Sequence, residues 1–406
     1  MNETKTKEKS NTEEQNTLNN DSDNSERKIS KAVFFIENSE SMFGYVSGFT
    51  EYVDVISELA EKPKFAEEKT QREFYFINGG DILKVTPIGN NPAVLKKKLN
   101  TTGFNCGDKT KSNLNSMFQK ALEKARKDTI SILISDAIYD LGKPNAPMNA
   151  LATEGRETRS RFIERLGDGD LQTIMIKLYS HFDGNYFPVN GGRIPIKQTR
   201  PYYIWIFGET ELLNRYFPEE YIKSLKGYAD MARFIKFDEL NIPYQAVSQN
   251  IIGRFKFDKI SKNKLKDVKS DRNGQGFQFS FATDFSSLPY SDSYFQTTNN
   301  YSCSDDNYAV TSVTKIKKKA YEITSFIPTH MITASTQNNP YCELNISLKN
   351  VVPIWIVNTN SDDESNIKSD TTQTFGFKFL TNAISEAYSY KNKEKNITNF
   401  TFEIIK

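Results

Sequence analysis

Serine, glutamate and aspartate offer hard oxygen donors, and this chain sets them in three short runs directly beside apolar segments. The first is Glu37-Asn38-Ser39-Glu40-Ser41, which follows Val33-Phe34-Phe35-Ile36. The second is Thr110-Lys111-Ser112-Asn113, which opens the amphipathic stretch Leu114–Leu122. The third is Asp136, which ends the run Ile130–Ser135. Carboxylates and hydroxyls suit a cation such as Mg²⁺, which takes a near-octahedral oxygen shell and commonly keeps water in it. The same residue types also cap helices and close turns, so Ser39, Ser41, Ser112 and Asn113 have a purely structural use open to them.

For these oxygens to act together, the fold must bring them to one place. From Lys31 to about Lys236, short apolar strands alternate with amphipathic helices, the pattern of an α/β fold with a doubly wound, mostly parallel sheet. Strands are predicted at 31–37, 73–78, 129–135, 171–180 and 201–208. Helical spacing places Tyr52, Val53, Ile56 and Leu59 on one face, and Leu114, Met117, Phe118, Ala121, Leu122 and Ala125 on another. A third, heavily charged helix is predicted around 154–166. In a doubly wound sheet the loops leaving the carboxyl ends of the strands converge on one edge, where ligands bind. All three oxygen runs are expected at that edge.

Beyond about residue 240 alternation replaces the helical period in "FQFSFAT", "KAYEITSFI", "CELNISLKN", "VPIWIV" and "NFTFEII", which predicts a β-rich, sandwich-like C-terminal domain. One helix carrying Leu380, Ala383, Ile384, Ala387 and Tyr388 is expected to interrupt or cover its sheet. The polar stretches 286–307 and 358–373 read as long loops. The resulting division is a disordered tail over 1–29, an α/β domain over 30–240 and a β-rich domain over 241–406.

The order of the three oxygen runs resembles the von Willebrand factor type A family, whose metal-ion-dependent adhesion site is written Asp-x-Ser-x-Ser, a loop Thr and a strand-end Asp. Glu37, Ser39 and Ser41 fall on the first motif, with Glu in place of the usual Asp. "SNLNSMF" is similar to the family's Thr-Asn-Leu-Gly-Ser-Ala-Leu stretch and puts Ser112 on the loop-threonine position. "LISDA" is similar to its Thr-Asp-Gly and puts Asp136 on the last ligand. The resemblance covers roughly residues 31–236. It implies one Mg²⁺, Mn²⁺ or Ca²⁺ ion held by Glu37, Ser39, Ser41, Ser112 and Asp136, with an acidic side chain of a partner protein completing the shell. Lys109, Lys111, Arg156 and Arg159 are the candidate rim for such a partner.

Other features point to less. Lys and Arg nearly balance Asp and Glu, for a net charge of +2, so there is no global drive toward nucleic acid or an anionic membrane. The basic runs at Arg254–Lys269 and Lys315–Lys319 read as solvated faces, although Phe255 and Phe257 within the first could serve as stacking platforms. Three separated cysteines fit reduced thiols and give no zinc spacing. Two histidines, His181 and His330, limit acid–base chemistry, and the glycine pairs at 79–80 and 191–192 match no phosphate-binding fingerprint. No apolar run reaches the roughly 20 residues that span a bilayer, and no signal peptide is visible, so a cytoplasmic setting is expected.

The reading that follows is a non-enzymatic, metal-assisted protein-binding module serving as adaptor or scaffold in an intracellular assembly. An Asn/Lys-rich composition suits an AT-rich, bacterial genome. Two alternatives stand beside it. One is a Mg²⁺-dependent phosphoester hydrolase using Glu37 and Asp136, with Lys109 and Lys111 near the ion. The other is a scaffold whose metal site has decayed, with the glutamate at 37 as the sign of decay.

Overall fold

Seven strands form the sheet that carries the three oxygen runs: β1 (Lys31–Glu37), β2 (Gln71–Asn78), β3 (Lys84–Gly89), β4 (Thr129–Ser135), β5 (Gln172–Tyr186), β6 (Ile194–Gly208) and β7 (Tyr228–Phe234). Their order is β3-β2-β1-β4-β6-β5-β7. The computed structural model describes residues 27–80, 82–236, 242–288, 290–316, 323, 325–365, 367–391 and 396–406. Residues 1–26 of the expected tail lie outside these. The last three tail residues are part of the fold, since Ile29 is buried and its N–H donates to the Tyr216 hydroxyl at 3.0 Å.

The sheet is mixed, which corrects the expectation of a mostly parallel one. β1 runs parallel to β2 and β4, but β3, β6, β5 and β7 each join antiparallel to their neighbours. The reason lies in the connections. β5 and β6 are joined by the short link 187–193 as a hairpin, which forces opposite directions, whereas a parallel pair needs a crossover.

Helices cover both faces of this sheet. Alternate β1 residues point to opposite sides. Phe34 and Ile36 pack with Tyr52, Val55, Ile56 and Leu59 of α1 (Glu51–Ala60), while Val33 and Phe35 face the cluster of Leu114, Met117 and Phe118 from α2 (Leu114–Lys124) and Phe162 from α3 (Pro147–Gly167). Burial on both sides explains why β1 and β4 read as unbroken apolar runs.

The remaining strands build two larger sheets and one two-stranded pair. Strands β8 (Tyr244–Ile252), β9 (Arg254–Phe257), β10 (Lys264–Lys269), β11 (Phe277–Thr283), β12 (Tyr301–Cys303), β13 (Tyr308–Lys315), β14 (His330–Thr336) and β15 (Cys342–Lys349) are followed by the short pair β16 (Asn360–Ser361) and β17 (Thr374–Phe375), then β18 (Asn396–Ile404). One sheet has the order β12-β15-β18-β10-β9 and the other β13-β14-β11-β8. Phe279 and Phe281 of the second meet Phe400 and Phe402 of the first at ring separations of 4.9 to 5.0 Å. The β-rich region is therefore a pair of sheets around one aromatic core.

Three local expectations change. The stretch 286–307, read as a long loop, carries a short helix over Asp292–Gln296 and the strand β12. "VPIWIV" forms the helix α4 (Ile354–Thr359) behind Pro353, because a short apolar run cannot be told from a helix by period alone. The predicted helix α5 (Phe377–Tyr388) exists, but it covers the α/β sheet and not the β-rich region. Phe377 stacks on Tyr203 at 4.5 Å, and the Tyr388 and Thr173 hydroxyls are 2.7 Å apart. The chain thus leaves the β-rich region after β15, packs α4 and α5 against the first sheet, and returns as β18. Among the described residues no helix is long and apolar enough to cross a membrane.

Candidate functional site

β1 and β4 lie side by side and end together, so Glu37 and Asp136 emerge at the same sheet edge. Behind Glu37 the chain turns into a short 3-10 helix, Glu40–Val46, which carries Ser41. Ser112 arrives from the other side on the loop before α2. Its neighbour Asn113 supplies the helix cap, accepting from the Ser116 N–H at 2.9 Å, so the Ser112 hydroxyl is released from capping. That hydroxyl donates to Glu37 Oε1 at 2.5 Å. Ser39 donates to the same oxygen at 2.7 Å, and its Oγ lies 3.1 Å from that of Ser41.

The Ser112 loop is clamped to both neighbouring strand ends. Gly79 N–H donates to Lys111 O and Asn113 N–H to Gly79 O, each at 2.9 Å, while Glu40 N–H donates to Lys109 O at 3.0 Å. Two buried amides hold the loop's start. Asn38 Nδ2 donates to the carbonyls of Phe104 and Cys106, and Asn78 donates to Asn38 Oδ1 and Cys106 O while accepting from the Asp108 N–H. Gly107 fits against this pair only as glycine: a Cβ there would stand 2.3 Å from Asn78 Oδ1, and its φ is +72°. Ala137, directly after Asp136, is held at φ +58°, a left-handed conformation that costs a non-glycine residue about 1–3 kcal/mol and concentrates at functional sites.

Ser39, Ser41, Ser112 and Asp136 line a cavity of about 150 Å³, with Glu37 buried beneath it. Asp136 Oδ1 accepts from the Ile138 N–H at 3.2 Å, but Asp136 Oδ2 and Glu37 Oε2 are buried with no hydrogen-bond partner. Burial pushes the Glu37 carboxyl up to about 7, the neighbouring Asp136 charge adds to the rise, and the nearby Ser112, Ser135 and Ser39 hydroxyls oppose it. Asp136 is also raised by burial, against the opposing charge of Arg200 and the nearby Ser41 hydroxyl. Two buried carboxylates with open lone pairs require protons or a cation.

The donor set fits a hard divalent ion. It offers two carboxylates and three hydroxyls, with neither thiol nor imidazole, which favours Mg²⁺ over zinc or copper. Among the described residues no group of three or more His, Cys, Asp and Glu assembles for a metal, so any ion here would depend on serine oxygens and water.

Of the expected rim, Lys109 and Lys111 line the cavity. Arg156 and Arg159 do not. Arg156 is exposed and donates to Thr153 on its own helix, and Arg159 pairs with Glu386 at 3.5 Å and lies over the Tyr390 ring, at the seam between α3 and α5. Sequence reasoning passed over four further contributors. Asp140 lines the cavity and accepts from the Ser112 N–H at 3.3 Å. Tyr186 and Phe187 come from the tip of the β5–β6 hairpin. Arg200 precedes the apolar part of β6 and is buried beside Tyr186; only a strand boundary extended by a few residues would have included it.

Cys106, His181 and His330 do not line this cavity. Cys106 Sγ sits 3.3 Å from Asn38 Nδ2 in the loop scaffold. His181 is exposed, and its backbone N–H is bound by Glu51. His330 is buried in the β-rich region beside Thr329. In the basic run, Lys256 pairs with Asp267, Lys264 with Glu403 and Lys266 with Asp258, and Phe255 and Phe257 pack on the core rather than standing free. Of the second basic run, residues 317–319 lie outside the described residues.

Fold and site together define a mixed-sheet α/β protein with an oxygen-lined cavity at the carboxyl edge of β1 and β4, joined to a two-sheet β region. Compared with known proteins, the chain matches no family model and no curated protein.

Proposed function

We propose that this chain is a divalent-metal-assisted protein-binding module of the von Willebrand factor type A kind, working as an adaptor or scaffold within a cytoplasmic, bacterial-type assembly. The observation that carries this reading is the pair of buried, unpartnered oxygens, Glu37 Oε2 and Asp136 Oδ2, beside three serine hydroxyls at one open edge. A decayed site would be expected to have filled or paired those oxygens, because an unsatisfied buried polar group costs about 1–3 kcal/mol.

Ser39, Ser41, Ser112 and Asp136 would hold one Mg²⁺ or Mn²⁺ ion, with Glu37 behind them orienting Ser39 and Ser112 through the oxygen that both already contact. The ion supplies an exchangeable position that an acidic side chain of a partner protein can fill. The cavity measures about 150 Å³ and adjoins a second of about 570 Å³ that shares Lys111, Ser112 and Asp140. Ile82 and Phe187 stand exposed on its surroundings, as apolar contacts for a partner surface. Of the two lysines on which the hydrolase alternative draws, Lys109 is held by Asn105 and lies over the Phe43 ring, while Lys111 lines the cavity.

The test is calorimetric titration of Mg²⁺ and Mn²⁺ into the protein and into a Ser39→Ala/Ser41→Ala variant, with thermal unfolding in parallel. One ion per chain and a metal-dependent rise in melting temperature, both lost in the variant, support the reading. Failure of the wild-type protein to respond to either ion overturns it.

A further inference from the structure

Arg200 is the most deeply buried arginine among the described residues, only 2% exposed, and among those residues it has no conventional partner. Its Nε lacks a hydrogen bond, and among the described residues no carboxylate pairs with it. The guanidinium instead lies 5.0 Å from the Phe182 ring centre and 4.7 Å from that of Tyr186. Ring faces attract a cation, by about 2 kcal/mol or more when it is desolvated, yet an isolated buried charge costs several kcal/mol. Something else must compensate it.

The register shows what. β4 and β6 run antiparallel with Ser135 opposite Tyr203, so β6 approaches that point from Arg200 as β4 leaves it toward Asp136. Ile134 and Tyr202 share the α1 side of the sheet, and by alternation Asp136 and Arg200 continue on that same side. Tyr186 spans the gap, touching Arg200 with its ring while lining the cavity with Asp136. Its position is fixed by a hydrogen bond to Glu364, which also accepts from the Val189 N–H. The guanidinium and the unpartnered Asp136 oxygen are therefore on one side of the sheet with opposite sign, and the Arg200 charge acts on the Asp136 carboxylate.

We infer that Arg200 is the resident counter-cation of Asp136, and that a divalent ion enters the site against its charge. The inference rests on the metal-binding reading above. It makes Arg200 a positioning residue that keeps the metal-free site folded while lowering its affinity for the ion. An anionic partner group, once it arrives, offsets the excess positive charge, so ion and partner would favour one another.

The experiment compares Mn²⁺ titration and thermal unfolding, with and without Mn²⁺, for the wild-type protein, Arg200→Gln and Arg200→Lys. Arg200→Gln should bind Mn²⁺ about tenfold more tightly or better, because a like charge within the same low-dielectric site has been removed. It should melt lower than wild type without metal and recover with it, while Arg200→Lys keeps the wild-type affinity. An unchanged affinity in Arg200→Gln, where wild type does bind, overturns the inference and leaves the metal site standing. Absence of binding in both wild type and Arg200→Gln overturns the metal reading and this inference with it. Should Arg200→Gln fail to fold, adding Asp136→Asn must restore folding by removing the matching charge; failure to do so identifies Arg200 as a packing residue and overturns the counter-cation role.

Discussion

Ser112 and Glu37 lie 75 positions apart and meet through a 2.5 Å hydrogen bond. The contact is possible because Asn113, and not Ser112, caps α2, which leaves one hydroxyl of the loop for the site. On the metal-binding reading, function and fold are thus separated between adjacent residues. Ser112→Ala should remove metal-induced stabilisation while costing the metal-free protein about 1–3 kcal/mol for the lost bond to a carboxylate. Asn113→Ala should cost about 1 kcal/mol through the helix cap and leave the metal response in place. Thermal unfolding of both variants with and without Mg²⁺ separates the two roles.

A second prediction concerns pH. Glu37 is raised from 4.5 to about 7 in the fold, so the metal-free native state holds a proton that the unfolded chain has released. Its contribution is fully present below about 4.5 and is lost as pH rises through about 7. The loss is up to about 3 kcal/mol for a shift of this size. In chelator, the melting temperature of the wild-type protein should fall across that window, and Glu37→Gln should flatten the profile. Saturating Mg²⁺ should reverse the slope, because protons then compete with the ion. A wild-type profile in chelator that matches Glu37→Gln throughout would exclude this account.

Much of this arrangement was legible in the sequence, for identifiable reasons. β1 and β4 were bounded correctly because strands buried on both faces are continuous apolar runs, and polar residues mark where they end. β5 and β6 extend beyond their predicted lengths, pairing out to Tyr186 and Ile194, because the outer hairpin carries His181, Asp183 and Lys197 and no longer looks apolar. Strand direction was not legible at all, since the same apolar run serves either orientation. Nor could periodicity say which sheet α5 covers: the stripe of Leu380, Ile384 and Ala387 shows that a face is buried, not what buries it. The three oxygen runs were found by residue type. Arg200 was not, because a lone arginine at the start of an apolar run reads as the strand's exposed end.

The 3-10 helix that carries Ser41 is positioned by glycine. A Cβ on Gly44 would stand 2.4 Å from the Phe182 ring, and one on Gly184 would stand 2.7 Å from Gly44 Cα. Gly44→Ala should therefore push the helix away from β5, costing about 1–3 kcal/mol as overpacking does. The metal affinity should fall as well, since Ser41 moves with the helix. Gly48→Ala is the control: it has open space but a φ of +91°, so it should cost stability without altering the metal response. Calorimetry on both variants distinguishes packing at the site from backbone strain beside it.

The return of α4 and α5 to the first sheet predicts that the two regions do not fold as separable pieces. Phe377, Leu380, Ile384 and Tyr388 share a core with Leu133, Met175, Trp205 and Phe234, so a fragment ending at Lys236 would expose the α5 side of the sheet. Such a fragment should be insoluble or should bind hydrophobic dyes, unlike the intact chain. Within the intact chain, Ile384→Ala should cost about 2–5 kcal/mol, the range for a large-to-small change in a core. Its effect should appear in a single unfolding transition that includes the β-rich region, because β18 follows α5 directly and pairs with β15 and β10. Two well-separated transitions, with only one shifted by Ile384→Ala, would show that the return segment does not couple the regions.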